Sequence, residues 1–296
     1  MKTPQGYDAR LKDISTTFIA QPDKPEETPE SVLRALWLLS TGKNLSAIKA
    51  SNTELRALDK EEIEQLEKYM ARWTAGEPLA HITNRQHFFN YEFIVDRSAL
   101  IPRKETELLA SKAIDKIERS ISAKPTIIDI CTGCGNLPIV FKLLHPEADI
   151  YAADLSSDAI QLANINLSFH KLENQIDFRV GDLLSPFENM GLKGNVDILT
   201  CNPPYISSKK ISSLNTGISD HEPTLAFDGG PFGVTILQRV ISESADFLAP
   251  GGWLIFEVGA GQGEPIQKKI QRSDQYSKVE TVHDHSQQIR VIAAQK

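Results

Sequence analysis

Apolar residues recur at helical spacing through the first quarter of the chain. Between residues 31 and 39, Val32, Leu33, Ala35, Leu36, Leu38 and Leu39 form an i, i+3, i+4 stripe, which predicts a helix with one buried face. Residues 59–73 carry acidic side chains early and Leu66, Tyr69 and Met70 on one face, which predicts a second helix with a first turn that suits its dipole. No strand-like alternation interrupts this region, so residues 1–77 read as a small helical domain. The pattern then changes. His87-Phe88-Phe89 and Tyr91-Glu92-Phe93-Ile94-Val95 are β-prone runs on either side of Asn90, and they predict a hairpin within a linker at 78–105.

From residue 106 the two periodicities alternate. Helical patterns at 106–117, 137–144, 157–168 and 234–247 are interleaved with strand-like runs at 126–130, 150–153, 176–180, 196–201 and 253–258. Strands that alternate with helices predict an α/β fold, a parallel sheet covered on both faces, over residues 106–296. The length of 296 residues suits about two domains, and no internal repeat or low-complexity tract is present.

Composition narrows the class. Hydrophobic residues at 41% and charged residues at 24% are ordinary for a globular chain, which excludes disorder, collagen-like repeats and a coiled coil. Lys+Arg 32 against Asp+Glu 39 gives a net charge of -7, which offers a phosphate backbone no overall attraction. Direct nucleic-acid binding is therefore not expected. No stretch approaches the ~20 apolar residues of a membrane helix, and residues 1–10 are polar with no apolar signal core behind them, so no membrane association and a cytoplasmic location are expected. Cys131, Cys134 and Cys201 are too few for a disulfide framework and fit a reducing compartment.

The candidate chemistry lies at strand ends. Asp129-Ile130-Cys131-Thr132-Gly133-Cys134-Gly135-Asn136 closes one strand and opens a helix, where an open α/β sheet binds nucleotides. Gly133 and Gly135 let the backbone approach a ligand, and Pro138 suits the first helical turn. Asp154 ends the second strand, where a carboxylate can accept from both ribose hydroxyls, and Asp182 follows the third. Together these features predict an adenosine-containing cofactor. Either acid could instead be a helix N-cap or a solvated loop residue. Cys131-x-x-Cys134 also has the spacing of a redox or metal pair, but no second pair completes a zinc site, and small side chains in a crowded loop explain it better. No metal is expected. His283 and His285 beside Asp284 read as a surface turn.

Asn202-Pro203-Pro204-Tyr205 follows the fourth strand at the same edge. The prolines fix φ and remove two donors, so the Pro203 carbonyl and the Asn202 side-chain oxygen can form an acceptor clamp for an NH2 group, with Tyr205 as a stacking face. This tetrapeptide resembles that of amino-methyltransferases acting on glutamine amides, adenine N6 or guanine N2. Nitrogen in such groups is a poor nucleophile, because its lone pair is delocalised, and hydrogen bonds that favour the pyramidal form lower the barrier.

With Gly76-Glu77-Pro78-Leu79-Ala80-His81-Ile82-Thr83 and Leu100-Ile101-Pro102-Arg103-Lys104-Glu105-Thr106-Glu107, nearly the whole chain resembles the protein-(glutamine-N5) methyltransferases of the release-factor type. The resemblance implies a Rossmann-like seven-stranded S-adenosylmethionine-dependent methyltransferase domain behind a substrate-docking helical domain. The implied donor is S-adenosylmethionine, and the implied acceptor is the glutamine of the Gly-Gly-Gln tripeptide of class 1 peptide chain release factors. By position, Cys131, Thr132, Gly133, Cys134 and Gly135 would line the methionine part of the donor. Asp154 would hold the ribose, Asp182 and Leu183 would border the adenine, and Asn202 would also border the donor. Asn202, Pro203, Pro204 and Tyr205 would hold the acceptor amide, with Asn202, Pro203 and Tyr205 as the catalytic set. Arg103 and Glu105 would shape the substrate channel, and the enzyme would act as a monomer by direct in-line displacement, the methyl carbon about 3 Å from the nitrogen.

The chain departs from the family pattern at Cys131 and Cys134, where Gly and a small hydroxylated residue are usual, and at Lys104, where proline is frequent. It also has Ser286-Gln287-Gln288-Ile289 where a glycine usually precedes the terminal Arg-Val. Three other readings share parts of the pattern. A nucleic-acid amino-methyltransferase would use the same clamp on a flipped base, against which the acidic balance speaks. A glutamine methyltransferase of a large-subunit ribosomal protein shares the tetrapeptide, but the run Arg103 to Glu107 favours the release-factor branch. A non-catalytic binding protein would not need Asp154 and the intact tetrapeptide.

Overall fold

The computed structural model describes residues 4–21, 23–207, 221–230 and 233–296. Five helices come first: α1 (Tyr7–Thr17), α2 (Pro29–Ser40), α3 (Ala47–Ser51), α4 (Lys60–Thr74) and α5 (Leu79–Thr83). α2 begins where Thr28 and Ser31 close a reciprocal capping box with Pro29 in the first turn, and α4 begins with the same device from Asp59 and Glu62. Their apolar faces meet in one cluster around Leu33, Leu36, Trp37 and Leu66, which Leu79 and Ile82 of α5 join. Trp37 is tolerated there because its indole N–H donates to the Arg56 carbonyl at 2.9 Å.

Next is a hairpin of β1 (Arg85–Phe88) and β2 (Tyr91–Ile94), in which Phe88 faces Tyr91. The sequence pattern put Phe89 in the first strand. It instead shares the turn with Asn90, at φ 48 and 70, because a tight hairpin needs two residues at positive φ and Asn90 alone cannot close it.

The remaining elements are α6 (Thr106–Glu118), β3 (Thr126–Ile130), α7 (Asn136–Leu144), β4 (Asp149–Asp154), α8 (Ser157–Phe169), β5 (Ile176–Val180), β6 (Val196–Cys201), α9 (Thr235–Phe247), β7 (Leu248–Glu257), α10 (Gly263–Gln271), β8 (Lys278–His283) and β9 (Ile289–Gln295). They build a seven-stranded sheet in the order β5-β4-β3-β6-β7-β9-β8. The first five strands of that order are parallel, as the alternating pattern predicts, whereas β9 runs antiparallel to both β7 and β8. The sheet is therefore mixed, because the short connection 284–288 allows only an antiparallel pair. That turn does not need the family's glycine. Asp284 Oδ1 accepts from the backbone N–H groups of Ser286 and Gln288 at 2.8 and 3.0 Å, and Gln287 takes the left-handed position at φ 61.

Side-chain alternation along the strands divides the core. Ile127, Ile198, Ile255 and Ala293 pack against α6, α7 and α8, while Ile128, Leu199, Leu254 and Ile292 pack against α9 and α10. Asn166 of α8 ties the hairpin to this body. Its Oδ1 accepts from Ile94 N–H at 2.7 Å, and its Nδ2 donates to the carbonyls of Ile94 and Cys134 at 2.9 and 3.0 Å. Among the described residues, no helix is long and apolar enough to cross a membrane.

Asn166 is fully buried, so Asn166→Ala strands a backbone N–H and two carbonyls. Urea unfolding should show a loss on the order of 3 kcal/mol. A loss under about 1 kcal/mol would mean that water takes over these bonds.

Candidate active site

The strand order reverses between β3 and β6. Strands β3 and β4 lead into helices on one face and β6 leads toward α9 on the other, so a crevice opens at the carboxyl ends of β3 and β6. A cavity occupies it. Of the sequence-predicted residues, Arg103, Cys131, Thr132, Gly133, Asp154, Asp182, Leu183, Asn202 and Pro204 line its wall.

The loop after β3 is shaped by three left-handed residues, Cys131, Gly133 and Gly135, at φ 56, 54 and 79. Gly133 is free of crowding there, whereas a Cβ on Gly135 would lie 3.0 Å from Phe178 and 3.1 Å from Ala163. Gly135 thus serves close packing at the start of α7 and does not line the cavity. Cys131 holds a left-handed conformation that costs a non-glycine residue about 1–2 kcal/mol. Cys134 is turned away from the cavity, buried with Ala99, Ala159 and Leu162, and burial pushes its thiol up to about 12. It is packing, not a thiolate.

Asp154 is held on the cavity wall by two backbone donors. Its Oδ2 accepts from Gly133 N–H at 2.8 Å and its Oδ1 from Ser156 N–H at 2.9 Å. Burial raises its pKa, against the pull of those backbone donors. A carboxylate has about four lone-pair sites, so each oxygen keeps capacity for a ligand hydroxyl. Leu155, Leu183 and Ile236 add apolar wall beside it. This donor set fits a ribose and a flat base. Asp182 is engaged from outside the cavity by Arg239 of α9, whose Nη1 lies 3.1 and 2.9 Å from its two oxygens.

The acceptor side differs from the expectation. Asn202 lines the cavity, but Pro203 is buried, and Tyr205 does not line the wall. The Tyr205 hydroxyl donates to Glu257 Oε1 at 3.1 Å, and its ring lies against Gly259, where a Cβ would come within 3.0 Å of Cδ2. Its carbonyl is held by Gln262 Nε2 at 3.0 Å. The tyrosine braces this corner of the structure through its hydroxyl and its carbonyl.

Three contributors were missed by sequence reasoning. Thr106 Oγ1 accepts from Asn202 Nδ2 at 3.1 Å and donates to Glu257 Oε2 at 2.8 Å. Glu257 is buried, which raises its pKa, while the Thr106 and Tyr205 hydroxyls and the Arg290 guanidinium, 3.8 Å from Oε1, favour its charged form. A lone acid inside the apolar run 253–258 was the available signal. Glu222 pairs with Arg103 at 2.6 Å and accepts from Ile101 N–H at 3.3 Å. Arg103 also lies 3.6 Å from Asp23 of the helical region, so it links three parts of the chain. Its neighbour Glu105 does not line the cavity; it precedes α6 in helical conformation.

The chain and its fold are similar to known methyltransferases. Residues 104–219 match the family model described as "Methyltransferase small domain". The chain is 30% identical over 268 residues to the release factor glutamine methyltransferase of Koribacter versatilis (strain Ellin345), covering 90% of each chain. It is 32% identical over 229 residues to the protein of the same name from Thermosynechococcus vestitus, covering 77% of this chain and 78% of that one. In fold it is similar to the solved structure of a human methyltransferase 10 domain containing protein, with a TM-score of 0.53 and 16% identity over 77% of this chain and 96% of the other.

Asp129, at the end of β3, gives the site a pH signature. It is fully buried, accepts from Thr200 Oγ1 at 2.6 Å, and is pushed up to about 7 chiefly by burial. Between about pH 4 and 7 the folded chain keeps a proton that the unfolded chain has lost, so this group lowers stability as pH rises across that window. Asp129→Asn should remove the slope, and its unfolding free energy should gain on the order of 3 kcal/mol on wild type from pH 4 to 8 in denaturant titrations. Parallel curves would show that Asp129 does not titrate there.

Proposed function

The chain belongs to the release factor glutamine methyltransferases, and from that premise we propose that it methylates the side-chain nitrogen N5 of the glutamine in the Gly-Gly-Gln tripeptide of a class 1 release factor. The observation that carries this reading is the Asn202 carboxamide, held at the carboxyl end of β6 on the wall of a cavity that Asp154 shares. A planar amide aligned beside a ribose-type site suits one planar amide substrate and one nucleoside donor.

Bound in the cavity, S-adenosylmethionine supplies an electrophilic methyl group on a sulfonium sulfur. Asp154 would accept from the ribose hydroxyls, Leu155 and Leu183 would flank the adenine, and the Cys131 to Gly133 backbone would face the methionine end. Asn202 Oδ1 would accept from the glutamine NH2, favouring a pyramidal nitrogen whose lone pair is localised for attack. The proton lost by that nitrogen leaves to water, since no strong base is required once the methyl has moved. The net charge of -7 favours a protein acceptor over a nucleic acid. The helical region, linked to the cavity wall through Asp23 and Arg103, is the proposed docking element for the release factor. The protein is proposed to act as a cytoplasmic monomer.

The test combines labelled S-adenosylmethionine, a release factor and mass-spectrometric mapping of the methylated residue. Label is expected on the Gly-Gly-Gln glutamine, and label elsewhere overturns the assignment. Asn202→Ala should lower kcat on the order of 10²-fold with donor affinity within a few-fold. Asp154→Ala should do the converse, weakening donor binding in calorimetry on the order of 10²-fold.

A further inference from the structure

A carboxamide is nearly symmetric in shape and opposite in function at its two ends. Only its oxygen can accept from a substrate NH2; its nitrogen would meet that group donor to donor. The orientation of Asn202 therefore decides whether the cavity can hold an amide, and the chain settles it with two residues far away in sequence.

Glu257, when ionised, has no hydrogen to give, so the hydroxyl it meets at 2.8 Å must donate to it. That hydroxyl belongs to Thr106, which has a single hydrogen. Once that hydrogen is committed to Glu257, Thr106 Oγ1 can only accept, and the group 3.1 Å away on Asn202 must be the nitrogen. The other Glu257 oxygen takes the Tyr205 hydroxyl at 3.1 Å, and Arg290 at 3.8 Å favours the charged carboxylate against the opposing effect of burial. The register of the fold makes the relay possible. Ile198 and Ile255 face α6, so Asn202, four residues beyond Ile198, and Glu257, two beyond Ile255, share that face. Thr106 is the first residue of α6. Both Thr106 and Glu257 are almost fully buried, which limits the access of water to the bond between them.

We propose that Thr106 and Glu257 are positioning residues that fix the polarity of the Asn202 carboxamide, aiming its oxygen at the acceptor nitrogen. The proposal rests on the reading of Asn202 as the group that holds the acceptor amide. Glu257 lies behind the cavity wall and Thr106 on it, and both are assigned to act through Asn202. They act by making one of two amide orientations the only one with every donor and acceptor satisfied.

The experiment is steady-state kinetics of Thr106→Val, Thr106→Ser, Asn202→Ala and the double variant Thr106→Val with Asn202→Ala, each with donor affinity by calorimetry and thermal unfolding. Thr106→Val should lower kcat about 30- to 100-fold and leave donor affinity within about 2-fold, because the freed carboxamide turns its nitrogen inward. Thr106→Ser restores the hydroxyl and should recover activity to within about 3-fold of wild type. In the double variant the valine should add nothing to the loss caused by Asn202→Ala, since it acts through that residue. Thr106→Ala, which removes the hydroxyl without new bulk, is read by the same criteria and replaces the valine variant if that one does not fold.

Full activity of the threonine variants beside a disabled Asn202→Ala overturns the relay and leaves the amide-holding reading standing. A serine variant as poor as the valine, or a further loss in the double variant, also overturns it by assigning Thr106 a packing role. Normal turnover by Asn202→Ala itself brings down the reading of Asn202 instead.

Discussion

A right-handed crossover sends its helix to one fixed face of a parallel sheet, so a sheet that grows first in one direction and then in the other must part its connections somewhere. Here the parting falls between β3 and β6. Every polar group of the site depends on it. The loop at Cys131, the carboxylate of Asp154 and the carboxamide of Asn202 all stand at carboxyl ends, because those ends are where the chain leaves the sheet and its side chains are free of the ladder. The two faces of the crevice take different roles. In the proposed reading, residues from β3 and β4 face the donor, and residues from β6, β7 and the start of α6 support the acceptor side.

Burying a carboxylate beneath such a crevice carries a large desolvation cost unless its oxygens are satisfied. Glu257 meets the condition with two hydroxyls and a nearby guanidinium. The arrangement converts that cost into direction. A hydrogen-bond chain with a terminus that only accepts can run one way, so the identity of each atom along it is fixed. Arg103 does comparable work at the mouth of the cavity, where its contacts with Glu222 and Asp23 bring the helical region, the linker and the segment beyond the tetrapeptide to one point.

Five of the seven strands were legible as apolar runs between turn residues, whereas β8 and β9 were not read from the pattern. Strands β3, β5 and β6 begin and end where the pattern predicts, and Asp154 and Asn202 lie at strand ends on the cavity wall. Local pattern failed where the answer depends on partners distant in the chain. Thr106 and Glu257 are 151 residues apart, and nothing in either neighbourhood announces the other. Cys134 and Gly135 share a loop with Gly133 yet face the core, because the loop turns into α7 within those residues and spacing alone does not say which side a backbone presents. Tyr205 read as a stacking surface from its composition, and its hydroxyl bond to the buried acid beside it was not readable from the sequence. The hairpin turn at Phe89 was missed for a simpler reason: an aromatic residue is a poor advertisement for positive φ.

The placement of β9 has a consequence for how the molecule comes into being. It follows β7 and β8 in the chain but is threaded between them. A ribosome delivers β7 and β8 first, so until β9 inserts, the rim of β7 stands as a bare row of amide and carbonyl groups, a template for any stray strand. Arg290 travels on that same insertion. The nascent protein therefore sheds its stickiness and gains the counter-ion of its buried acid in one stroke.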